Sequence, residues 1–135
     1  RYDGTIPPRL FMRIKKLRWL YMCEEHRARY EHVHKWYVKN LMRRYVLMPS
    51  GEVTIQRRGN PSGQISTTID NNMVNYWLQA FEFCYFHGPN KELWRDYDTV
   101  IYGDDRLTRY PVLPEDYSSR VISMYKEVFG MWVKP

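Results

Sequence analysis

A chain of 135 residues with 44% hydrophobic and 16% aromatic side chains can build a core, and this excludes a disordered chain. Against 15 Asp and Glu stand 21 Lys and Arg, a formal charge of +6 that favours polyanionic partners, nucleic acid first among them. The two cysteines, Cys23 and Cys84, have no disulfide-framework spacing and read as free thiols in a reducing compartment, and no apolar run is long enough to be a transmembrane segment.

Arg1 to Ile6 reads as the tail of a strand, and Pro7-Pro8 then opens a helix striped by Leu10, Phe11, Ile14, Leu17 and Leu20. Arg13, Lys15, Lys16 and Arg18 fall off that stripe. A second helix is expected from Glu24 to Tyr45, with Val33, Trp36, Tyr37, Leu41 and Tyr45 inward and Arg43 and Arg44 among the outer cations. Met48-Pro49-Ser50-Gly51 is a turn, and Glu52 to Arg58 alternates as a strand. After the loop Gly59-Asn60-Pro61-Ser62-Gly63, the strongest helix runs from Thr67 to Phe86. Ile69, Met73, Trp77, Ala80 and Cys84 line one of its faces, and Thr67, Asn71, Asn75 and Gln79 another. The chain breaks at His87-Gly88-Pro89-Asn90. A hairpin follows, with strands Tyr97 to Tyr102 and Arg106 to Tyr110 around Gly103-Asp104-Asp105, and a last helix runs from Glu115-Asp116 to a stop at Gly130. The fold class is α+β, with helices packed on an antiparallel sheet. The opening on Arg1 and the stop at Lys134-Pro135 both read as cuts through a longer protein.

Three stretches carry chemistry. Asp104 and Asp105 sit side by side at the hairpin tip, where like charges repel unless a cation lies between them; carboxylate oxygens suit Mg²⁺. A solvated turn is the plainer reading of the same tetrapeptide. The loop from Gly59 leads into a helix whose first turns expose Thr67 and Asn71, an arrangement able to meet phosphate or sugar oxygens, though an ordinary capped helix fits as well. In Arg1-Tyr2-Asp3-Gly4-Thr5-Ile6-Pro7-Pro8 a carboxylate precedes a sharp turn, a weak signal alone.

In this order and spacing the three together resemble motifs A, B and C of the viral RNA-dependent RNA polymerases, over essentially the whole chain. RYDGTIPP with GNPSGQISTTIDNNMVNYWLQAFEF is most similar to the astrovirus branch of that family. The resemblance implies one unit, 1–135, of polymerase palm plus part of the fingers. Within it the end of motif A falls at 1–8, motif B at 59–75, motif C at 97–110 and the start of motif D at 115–135. It implies two-metal, template-directed transfer of ribonucleotides to an RNA 3′ end, for viral genome replication and transcription. Asp104 would be the principal motif C metal ligand and Asp105 the second, with Mg²⁺ as cofactor and Mn²⁺ as its substitute. Asp3 would face the incoming ribose 2′-OH with Asn71 as its partner, Thr67 would hold that network, and Ser62 and Gly63 would form the adjusting motif B loop.

Template RNA, nascent RNA, NTPs and the rest of the polymerase chain (fingers and thumb) are the implied partners. The implied location is the host cell cytoplasm, in viral replication complexes. The family places a further motif A Asp five residues before Asp3, ahead of Arg1, so the chain alone is expected to be inactive. Lys134 lies near the motif D general acid, but the matching position falls past Pro135, and Lys134 is left out of the catalytic set. Arg57 and Arg58 read equally as phosphate contacts or as a solvated strand end. Three rival readings rank lower: a non-enzymatic basic RNA-binding module, a reverse-transcriptase-like palm, and a zinc site on Cys23, His26, His32 and His34. The Asp3 and Asn71 pair argues for ribonucleotides against the second of these.

Overall fold

Extended Pro7 (φ −63°, ψ 137°) caps a helix that Pro8 begins, because the first helical turn needs no N–H from that residue. The computed structural model describes residues 2–133. In chain order the elements are α1 (Tyr2–Thr5), α2 (Pro8–Leu20), α3 (Glu24–Met42), β1 (Arg44–Leu47), β2 (Val53–Gln56), α4 (Thr67–His87), α5 (Lys91–Arg95), β3 (Asp98–Tyr102), β4 (Asp105–Arg109) and α6 (Tyr117–Met124). A π-helical turn, Tyr125–Phe129, extends α6 to Gly130, whose left-handed backbone (φ 59°) stops it as expected. The class is α+β. Its strands form two antiparallel pairs, β1 with β2 and β3 with β4.

Four expectations are corrected. Tyr2–Thr5 is a short helix and not a strand end: Asp3 O and Ile6 O accept from the N–H groups of Asn60 and Gly59, so this segment docks on a loop instead of a sheet. The second helix ends at Met42, because Arg44–Leu47 pairs with β2 across the Met48–Gly51 turn and leaves Val33, Trp36 and Tyr45 exposed. Between the His87–Asn90 break and the hairpin, where no element is expected, Lys91–Arg95 makes one helical turn capped by the Asn90 side chain on Leu93 N.

The fourth correction concerns α4. Its buried face is the polar one, comprising Asp70, Asn71, Asn75, Gln79 and Glu82 with Val74, Leu78 and Phe83, while Ile69 and Cys84 are exposed. Lys15, which falls off the apolar stripe of α2, is likewise buried.

Ile6, Leu10, Phe11 and Ile14 meet Leu41, Val74, Leu78, Val121, Met124, Tyr125 and Met131 in one apolar cluster. Each fully buried member of this kind contributes about 1.5–3 kcal/mol of transfer free energy. Trp77, Phe81 and Phe86 pack on its edge, whereas Tyr76 and Tyr85 face outward. Among the described residues no helix is long and apolar enough to cross a membrane. Lys134 lies outside them.

Candidate functional site

The β3–β4 hairpin pairs Tyr102 with Asp105 across a turn whose first central residue, Gly103, has φ +64°, the arrangement of a type II′ hairpin. Asp104 and Asp105 are exposed at its tip. Helix α4 holds that tip by its backbone. Asn72 Oδ1 accepts from Gly103 N at 2.6 Å, and Asn75 Nδ2 donates to Gly103 O at 3.2 Å. One and two turns on, Gln79 Nε2 donates to Thr108 Oγ1 at 3.2 Å, and buried Glu82 accepts from Arg106 at 2.8 Å.

The hydroxyls of Tyr110, Tyr117 and Tyr125 also donate to Glu82, so this buried carboxylate has the partners that burial demands. Burial disfavours the Arg106 charge, but adjacent Glu82 outweighs it and raises the guanidinium pKa above its ordinary range. Burial and Glu82 push the Tyr117 and Tyr125 hydroxyls well above theirs, so both stay protonated and donating.

At the other end of α4, the loop from Gly59 folds over α1. Asp3 is held by both carboxylate oxygens: Asn71 Nδ2 donates to Oδ1 and Ser62 Oγ to Oδ2, each at 2.6 Å. Asn60 Nδ2 donates to Asn71 Oδ1 at 2.9 Å, and Tyr2 donates its hydroxyl to Asn71 O at 3.2 Å. Burial, then Tyr125 and the carboxylates of Asp104 and Asp3, keep that hydroxyl protonated well past its ordinary pKa. Thr67 Oγ1 donates to Pro61 O at 2.7 Å and Gln64 O at 2.9 Å, so it pins the loop without touching Asp3 itself. Gly63, at φ +85° in open space, is where the loop reverses.

Gly59 has no substitute here. A Cβ on it would lie 2.3 Å from Asp3 O, and its φ is +78°. Gly59→Ala is expected to push α1 off the loop at a cost of roughly 2 kcal/mol or more. Thermal unfolding of the full-length protein measures it, and an unchanged melting temperature contradicts it.

Beneath the loop lies a buried charge cluster. Asp70 accepts from Lys15 at 2.5 Å and from Arg18 at 2.7 Å, and Ser66 and Gln64 complete its hydrogen bonds.

The Asp3 segment, the loop from Gly59 and the β3–β4 hairpin meet in one cleft of about 420 Å³, bordered by Tyr2, Asp3, Asn60, Ser62 and Asp104, with Arg44 and Gln56 also lining it. Of the expected site residues, Asp3, Ser62 and Asn71 are in direct contact, Asp104 shares their cleft, and Thr67 and Gly63 shape the loop. Asp105 stands beside Asp104 on the hairpin's second strand and lines a neighbouring hollow with it. Asn71 is buried, not exposed as expected from the helix pattern. Exposed carboxylates at a hairpin tip suit a hard, oxygen-seeking cation such as Mg²⁺. Among the described residues no three His, Cys, Asp or Glu side chains converge, so Asp104 and Asp105 offer part of a ligand set and need further oxygens.

Arg58 is no free phosphate contact: it donates to Thr5 O, Phe129 O and Gly130 O. Sequence reasoning missed Tyr2, Asn60, Gln64 and the Lys15–Asp70 pair. It placed Arg44 on an outer helix face, whereas Arg44 donates to Leu41 O, Gly59 O and Gln56 Oε1. Only the odd acidic residue one position before Asn71 hinted at any of these. Cys23 is exposed, and His34 stacks on Trp19 at 4.3 Å.

The chain is 67% identical over 135 residues to the non-structural polyprotein 1AB of human astrovirus-5, all of this chain and 10% of that protein. It is 55% identical over 142 residues to the polyprotein 1AB of ovine astrovirus 1, again all of this chain and 10% of the relative. To that of turkey astrovirus 2 it is 45% identical over 143 residues, 99% of this chain and 9% of the relative. The chain thus spans about a tenth of the length of the curated relatives it matches. The family model described as viral RNA-dependent RNA polymerase matches residues 1–135. With that match running from one end of the sequence to the other, the chain belongs to the viral RNA-dependent RNA polymerase family.

Proposed function

We propose that this chain forms the catalytic palm, with part of the fingers, of an RNA-directed RNA polymerase, and that the cleft between Asp3 and Asp104 receives the incoming NTP. One observation carries the reading. The Asp3 carboxylate is presented between the Asn71 amide and the Ser62 hydroxyl, in the same cleft as the hairpin carboxylate Asp104. A carboxylate accepts from a ribose 2′-OH and an amide N–H donates to its oxygen, so the pair can satisfy both halves of a hydroxyl. A deoxyribose gains neither of these hydrogen bonds, so the site favours the sugar that carries the hydroxyl.

Asp104 and Asp105 would hold the divalent cation, Mg²⁺ or Mn²⁺ in its place. Such a cation, when bound, supplies neutralisation of charge developing on the phosphoryl oxygens. The chain's own groups align the reaction. The hairpin fixes Asp104 against α4, the Ser62–Gly63 turn admits the base pair, and Asp3 with Asn71 seats the sugar so that the primer 3′-OH faces the α-phosphate. The new O–P bond forms as the bond to pyrophosphate breaks, and the 3′-OH proton passes to solvent. Template and nascent RNA, NTPs and the remaining fingers and thumb are the partners, and the host cell cytoplasm, in viral replication complexes, is the place.

Primer extension by the full-length polymerase on an RNA template, with NTPs and dNTPs in parallel and divalent metal present, is the test. Selective NTP incorporation that Asp104→Asn removes supports the reading. Preference for dNTPs points to a reverse-transcriptase-like palm, and extension indifferent to Asp104 to a basic RNA-binding module. The 135-residue chain alone is expected to incorporate no nucleotide, because Asp104 and Asp105 lack a third carboxylate among the described residues. Extension by that chain would contradict the expectation.

A further inference from the structure

Asn60 is 2% exposed, and its N–H and both ends of its side-chain amide are hydrogen-bonded. Its N–H donates to Asp3 O at 2.7 Å. Its Nδ2 donates to Asn71 Oδ1 at 2.9 Å, and its Oδ1 accepts from Gln64 Nε2 at 3.1 Å. The residue therefore joins the backbone of Asp3 to the side chain of Asn71.

A side-chain amide has a donor end and an acceptor end, and a neighbour that only donates or only accepts decides which way it points. Ser66 N can only donate, and it reaches Gln64 Oε1 at 3.2 Å. Gln64 must then turn Nε2 outward, to Asn60 Oδ1 and to the Asp70 carboxylate at 2.8 Å. That leaves Asn60 Nδ2 for Asn71 Oδ1, and Asn71 Nδ2 for Asp3. Thr67 O, which can only accept, also takes Asn60 Nδ2, at 3.3 Å, so two backbone groups outside the cleft dictate the polarity of Asn71 before any nucleotide is present.

We infer that Asn60, backed by Gln64, is a positioning residue for sugar selection: it locks the Asn71 amide with its N–H toward Asp3, so the site meets a 2′-OH ready to donate. This rests on the reading of Asp3 and Asn71 as the ribose-sensing pair. Fixing the donor in advance spares the nucleotide the ordering cost, so the effect falls on ribonucleotides alone.

Asn60→Asp tests it in the full-length polymerase. The substitution keeps the shape and the acceptor for Gln64 but sets a carboxylate oxygen against Asn71 Oδ1, which turns that amide over. The ratio of kcat/KM for NTP to that for the matching dNTP is expected to fall about tenfold, the loss of one hydrogen bond to the sugar, carried by a higher KM for NTP. Efficiency with dNTP changes far less. A purely structural role would lower both substrates together, and that result, or an unchanged ratio, overturns the inference. Asn60→Ser, which removes the clamp without adding charge, is expected to lower the ratio by a smaller factor, and it decides alone if Asn60→Asp fails to melt cooperatively. Asn71→Ala separates the levels. If it lowers the ratio while neither Asn60 variant does, the positioning role alone falls. If it leaves the ratio untouched, the ribose-sensing reading falls and this inference with it.

Discussion

Asp104→Asn in the full-length polymerase is expected to abolish primer extension, by about 10³-fold or more, while the protein stays folded and still binds template RNA. The exchange preserves shape and removes a charge. The hydrogen bonds from α4 to the tip run through the Gly103 backbone and not through the carboxylate, so the hairpin has no reason to move. Losing several kcal/mol of transition-state charge stabilisation, at 1.36 kcal/mol per factor of ten, gives that factor. Asp105→Asn is expected to cost less, about 10- to 100-fold, as the supporting acid of the pair. Salt-sensitive RNA binding should be unaffected by either change, because it depends on the Lys and Arg surface. A rate within tenfold of wild type for Asp104→Asn would leave the hairpin a mere turn.

The second large effect lies under the loop. Asp70 is fully buried and Lys15 is 3% exposed, and their charges are compensated by each other and by Arg18. Asp70→Asn is expected to destabilise the folded protein by about 3–5 kcal/mol, since it strands a buried ammonium group. Arg18 is partly exposed and can turn to water; Lys15 cannot. The double replacement Lys15→Met with Asp70→Leu is expected to recover most of the loss, because an apolar pair of similar volume suits that site. Thermal and urea melts of the two variants separate the cases. Equal losses in the single and double variants would mean that the charges matter through something other than their mutual compensation.

Local chemistry made the hairpin and the Gly59–Gly63 loop legible. Gly103 and Gly63 announce turns by the backbone they permit, and Pro8 and Gly130 bound their helices. Helix α4 was legible as a helix but not as to its inner side. Periodicity separates a polar face from an apolar one, yet it cannot report that Asn75 meets a carbonyl of residue 103 or that Glu82 meets three tyrosines. Those partners lie far along the chain, and burial of polar groups is decided by partners. The same reason hid Lys15, whose counter-ion is 55 residues away. Arg44–Leu47 was lost to helix because its alternation is short and its pairing partner comes only after a turn.

The hydrogen bond from Asn71 to Asp3 spans 68 residues, and that from Arg58 to Gly130 spans 72. At a synthesis rate of about 5–20 residues per second, Asp3 emerges roughly 3–14 s before Asn71 exists to receive it. Through that interval the Asp3 carboxylate has no Asn71 amide to hold it. The cleft therefore closes late: Asp3 gains its amide partner only when α4 is made, and the wall that Asp104 supplies comes later still.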